Sequence, residues 1–175
     1  KSLFANTTAN NNTAVGSSAM LTNTVGFDNA AFGKSALCLL TDGDYNTAIG
    51  AGSMAKTTTG LRNTAVGNNS LICNTTGTAN TAVGGTDAGT LPVMWKNTTG
   101  VCNAAFGTGA LSCNTTGGCN SSVGFRAGCN VTTGDNNVFV GNLAGTDAVR
   151  DVTTGDNNIV IGNNSSATAH IKIDW

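Results

Sequence analysis

Six cysteines, three aspartates at one spacing, a lone histidine and a short stretch holding a tryptophan are the residues of this chain that could do chemistry. Cys102 and Cys119 stand 17 residues apart, and Cys113 and Cys129 stand 16 apart. No CxxC occurs among the six, so no zinc site and no other metal centre is expected. The pairs could staple neighbouring repeats as disulfides, or they are small buried thiols of a protein assembled under reducing conditions. Asp44, Asp135 and Asp156 each follow a glycine and recur at one position. One carboxylate per repeat is thin for calcium, which takes six to eight oxygens, so turn formation is the expected role. His170 is the only histidine, and no Ser or Cys has an identifiable base partner. No pair of carboxylates stands beside aromatics in a cleft-forming insertion. The expectation is a non-catalytic protein without cofactors.

The elements that position these residues follow from a repeat. "NTAVG" occurs at Asn12, Asn63 and Asn80, "NTAIG" at Asn46 and "NAAFG" at Asn29 and Asn103. The closing glycines are Gly16, Gly33, Gly50, Gly67, Gly84, Gly107, Gly124, Gly141 and Gly162. They step by 17 residues, apart from one step of 23 and one of 21. Each has Asn four residues before it and Thr nine before it; seven before it stands Gly in every unit but the first, which has Ala9. Self-similarity at such a period marks a solenoid, and a 17-residue unit is too short for a helical hairpin. The pattern predicts an all-β parallel β-roll or β-helix of nine rungs over residues 1–166, with two short strands per coil. At ~4.8 Å per rung the stack would stand roughly 43 Å tall. Asn46, Gly50, Asn63, Gly67, Asn80, Gly84, Gly107 and Gly124 are read as structural corners: glycine for positive φ or close approach, asparagine for the left-handed region and for amide bonding up the column.

Composition removes several functions. Only 10% of residues are charged, with 8 basic against 9 acidic, so no nucleic-acid-binding patch is expected. No apolar run approaches the ~20 residues that span a bilayer. Neither position before the closing glycine carries a charge in any unit. The residue just before it is large and apolar, from Val15 to Ile161, and its neighbour is most often Ala. Side chains one apart on a strand point to opposite faces. One face lines the coil and the other needs a cover, which predicts a homotrimer.

The stretch "NTAVGNNSLICNTTGTANTAVG", Asn63 to Gly84, resembles the repeats of phage tail fibres and tailspikes that precede an endosialidase-type intramolecular chaperone domain. "TTGDNNVFVGNLAG" and "TTGDNNIVIGNNS" look like the last repeats of such a stalk, and "TAHIKIDW", Thr168 to Trp175, like the run-up to the chaperone. The pentads are also similar to the head repeats of trimeric autotransporter adhesins. The resemblance implies a homotrimeric fibre segment on a virion or other extracellular surface, with 167–175 as a terminal strand leading to an absent C-terminal domain.

Two functions compete with a purely mechanical role. The step of 23 places six extra residues between Ala88 and Asn97, in "GTLPVMWK", and the step of 21 places four between Gly145 and Val152. Such insertions must bulge from a solenoid. The 89–96 and 146–151 loops, with Met94, Trp95, Lys96 and Arg150, are therefore candidate contacts for a cell-surface glycan or protein. Trp95 alternatively folds down over its own rung. Ice binding is the other alternative; it needs two Thr one residue apart on a strand, whereas Thr75 and Thr76 are adjacent.

Overall fold

The computed structural model describes residues 1–86, 91–146, 152–163 and 165. Among the described residues run nine three-residue strands: β1 (Thr13–Val15), β2 (Ala30–Phe32), β3 (Thr47–Ile49), β4 (Thr64–Val66), β5 (Thr81–Val83), β6 (Ala104–Phe106), β7 (Ser121–Val123), β8 (Val138–Val140) and β9 (Ile159–Ile161). They form one parallel sheet in chain order. Each residue pairs with its counterpart one unit on, such as Thr47 with Thr64 and Ile49 with Val66. The longer units keep this register, since Thr81 pairs with Ala104 and Val138 with Ile159. The chain is a β-solenoid with rungs of 17 residues.

The expected second strand is absent among the described residues: each repeat has one strand and then turns. Residues of positive φ recur around the coil and break extended backbone. The closing glycine itself has φ between 117° and 154° in eight units and 80° at Gly162. Two and four residues later the backbone is again left-handed, as at Ser35 and Leu37 or Asn69 and Leu71. Hydrogen bonds from rung to rung persist through these turns, for example Met54 N–H to Ser70 O at 3.0 Å and Lys56 N–H to Ile72 O at 3.1 Å.

The asparagine column also departs from expectation in its backbone. The left-handed residue is the one before it: Asp28, Tyr45, Arg62, Ala79, Cys102, Cys119, Asn136 or Asn157. The asparagines turn inward instead, and Asn46, Asn63, Asn80 and Asn120 are fully buried. Asn63 donates through Nδ2 to Asn46 Oδ1 (3.1 Å) and to Gly77 O (2.8 Å). Its Oδ1 accepts from Asn80 N–H (3.0 Å) and Asn80 Nδ2 (3.2 Å). The side-chain ladder runs unbroken from Asn29 to Asn158. Each amide thus finds partners in a dry interior, where an unpaired one would cost about 1–3 kcal/mol.

The other fixed positions have equally local causes. The Thr hydroxyl nine before the closing glycine donates to the carbonyl of the next Thr in its column, from Thr7 to Thr153, at 2.9 to 3.2 Å. The glycine seven before exists for its carbonyl: Gly77 O accepts from both Asn63 and Asn74. A Cβ on the glycine below, Gly60, would stand 2.6 Å from that oxygen and about as close to both amides, 3.1 Å and 3.0 Å.

The core between the walls is thin. The strands contribute Ala31, Ala48, Ala65, Ala82 and Ala105, all fully buried. The opposite wall supplies Leu37, Met54, Leu71, Met94 and Leu111. Near the C-terminal end the sizes swap. Phe139 occupies the strand position, and Gly128 and Gly145 take the place of Leu or Met. A Cβ on Gly128 would lie 2.7 Å from Phe139 Cδ2, so the ring fills the space vacated by two side chains.

Candidate functional site

The strand has two outward positions, and together they make the one broad feature that every rung shares. The residue before the closing glycine points away from the core. Val15, Phe32, Ile49, Phe106, Val123, Val140 and Ile161 are 41 to 56% exposed, and Val66 and Val83 are half-buried. Nine large apolar side chains therefore stand in one file, about 40 Å long at the rung spacing of parallel strands. Two residues earlier stand Thr13, Ala30, Thr47, Thr64, Thr81, Ala104, Ser121, Val138 and Ile159. None of these eighteen outward positions carries a charge. An unbroken apolar file of this length exceeds the scattered exposed residues normal on a solitary protein.

The six-residue insertion lies earlier than the sequence suggests, and this corrects the loop assignment. Leu71 N–H bonds to Val93 O at 3.1 Å, as Met54 N–H bonds to Ser70 O. Val93 to Lys96 are thus ordinary rung residues, and the extra ones fall between Thr86 and Val93. Of these, Leu91 is exposed and Pro92 is buried; residues 87–90 lie outside the described residues. Met94 consequently belongs to the core, fully buried in the column of Leu71 and Leu111, and offers no contact edge. Trp95 is half-buried beside it. Lys96 is exposed, with its Nζ 5.9 Å from the Trp95 ring centroid. Arg150, most of the 146–151 loop and the 167–175 tail lie outside the described residues.

Among the described residues the thiols and carboxylates form no composite centre, and no three His, Cys, Asp or Glu gather. Cys102 and Cys119 are exposed on neighbouring rungs, each in the left-handed corner position, and both are free thiols, as is Cys113. The aspartates work on the backbone. Asp44 Oδ1 accepts from Phe27 N–H at 2.9 Å, Asp135 from Gly118 at 2.6 Å and Asp156 from Asp135 at 2.7 Å. Each carboxylate so satisfies an outward N–H of the rung below.

One cluster escaped the sequence reading. Phe27 and Tyr45 meet edge to face with centroids 5.2 Å apart, and the Arg62 guanidinium lies 5.6 Å from the Tyr45 ring centroid. The three occupy the same corner on successive rungs. The signal was available: Tyr45 and Arg62 stand five residues before their closing glycines and Phe27 six before.

No family model, curated protein or solved structure matches the chain.

Proposed function

We propose that the chain is a structural, non-catalytic segment of a homotrimeric fibre, of the kind found in phage tail fibres and spikes, which spaces and presents a host-binding surface. The uncharged apolar file from Val15 to Ile161 carries this reading. A flat wall of half-exposed Val, Ile and Phe is unfavourable in water at about 25 cal/mol per Å². Covering it with copies of the same chain around a closed rotation axis removes the exposure from every subunit. Backbone and side-chain ladders that run the length of the stack suit a stiff spacer. Sedimentation equilibrium should return three times the 17.4 kDa chain mass. A stable monomer at micromolar concentration would overturn the reading.

A second reading, adhesion through the stretch between β5 and β6, is favoured by Trp95 keeping part of its surface next to the exposed Lys96. A half-exposed indole suits stacking on a sugar ring or filling a partner's pocket. Trp95→Ala should then reduce binding to whole cells while leaving the melting temperature nearly unchanged. A large drop in melting temperature would instead make Trp95 a cover for its own rung.

A further inference from the structure

The outward face carries a size pattern that an open surface would not require. The two rungs with Phe in the exposed file, Phe32 and Phe106, are also the two with Ala at the other outward position, Ala30 and Ala104. The smaller Val and Ile rungs carry larger partners there: Thr13, Thr47, Thr64, Thr81, Ser121, Val138 and Ile159. Inside the coil the same exchange is forced by close packing, where Phe139 coincides with Gly128 and Gly145. In water, nothing penalises a large residue beside a medium one. Under a close-fitting cover, overpacking costs about 1–3 kcal/mol per site.

The cover must also solve a problem of register. Rungs that differ little can slide past one another by whole units with small loss. Only rungs that depart from the common Thr and Val or Ile type resist such a slip. The Val138/Val140 and Ile159/Ile161 rungs do so at one end of the stack, and within the run of common rungs the second and the sixth do so with Ala and Phe. Resting on the homotrimer reading above, we propose that three copies of this chain pack parallel and level. Their files meet along a common axis, and the Ala30/Phe32 and Ala104/Phe106 rungs are the layers that fix the register. A rotation that keeps each rung at its own height brings Phe32 to Phe32 and Phe106 to Phe106. A slip of one rung brings Phe32 level with Ile49, beside Thr47 where Ala30 had left room. A slip of four would match Phe32 to Phe106 but leave four rungs of each file uncovered.

The test uses the full chain and separates this proposal from the reading on which it rests. Val66→Cys and Val123→Cys are each treated with a short bis-maleimide linker, with the parent chain as the background for its own thiols. Level, parallel packing predicts a new linked dimer in both variants. A trimer in sedimentation with neither variant linking places the seam elsewhere and overturns the proposal. Linking in only one of them indicates antiparallel pairing and also overturns it. A monomer in sedimentation overturns the fibre reading itself. The register layers are tested by converting both rungs to the common type, Ala30→Thr with Phe32→Val and Ala104→Thr with Phe106→Val. In that background, differently tagged Val66→Cys and Val83→Cys chains are oxidised without a linker, so that only a direct disulfide with its short reach of about 4.4–6.8 Å between Cα atoms can form. They should begin to link to each other. If linking stays confined to identical positions, the Phe/Ala rungs do not set the register.

Discussion

At Gly67 two constraints meet in one residue. Its φ is +130°, and a Cβ there would stand 2.6 Å from the Gly84 carbonyl carbon in the next rung. Gly67→Ala should destabilise by at least ~1 kcal/mol from conformation and contact together. Gly85→Ala is the control, because a Cβ on Gly85 meets nothing within 4 Å. Urea unfolding should separate the two; equal midpoints would mean that the closing glycine is dispensable. Thr57 makes the opposite prediction. Its hydroxyl is buried without a hydrogen-bond partner, in a second inward column where other rungs hold Asn23, Asn74, Asn97 and Asn114. The column is interrupted by Leu40 before Thr57 and by Val131 after Asn114, and the carbonyl oxygens of Asn23 and Asn114 are left unpaired at those breaks. Thr57→Val removes an unsatisfied polar group at nearly constant shape and should stabilise by about 1 kcal/mol. A lower unfolding midpoint would show that the hydroxyl has a partner in solution.

Among the rungs, the β8 region tests how far the walls are coupled. Phe139→Ala alone should cost about 3–5 kcal/mol, since the ring has no other occupant to replace it. Gly145→Leu alone should clash with that ring, which already crowds the glycine. Combined, the two changes move toward the ordinary Ala and Leu pairing of the other rungs. The left-handed backbone at 145 is no obstacle, because Leu37, Leu71 and Leu111 hold the same conformation. The double variant should be at least ~1 kcal/mol more stable than the sum of the single effects predicts. Simple additivity in denaturant unfolding would mean that the two positions do not share the space.

For the whole molecule, the prediction concerns the exposed file. Ile49 points outward and makes no part of the core, so Ile49→Glu should leave the coil folded. In a closed trimer the same change brings three carboxylates together in a dry seam, which costs several kcal/mol through desolvation and like-charge repulsion. The expected outcome is a circular-dichroism spectrum like the parent's and a sedimenting mass of one chain. A trimer that survives the substitution would place Ile49 outside the subunit contact.

The sequence by itself determined the period, the solenoid, and the positions that every rung must hold fixed. Those follow from interactions repeated once per unit, such as the Asn63 amide reaching Asn46 and Gly77, and repetition makes them visible in a single chain. It also located an uncharged strand, but not which side of that strand is dry. Ala65 and Val66 are both apolar; only the opposite wall of Leu71 and Met54 leaves a gap narrow enough to select Ala for the inside. The single strand per rung was likewise hidden. Leu37, Met54 and Leu71 read as strand residues by type, yet each is held left-handed because its buried side chain must point across a tight coil. The place of the insertion depended on the same fact. Met94 looks like part of an irregular loop until the stack puts it between Leu71 and Leu111, where a rung needs a large apolar residue. Packing against neighbouring rungs decided its role, and that packing exists only once the coil has closed.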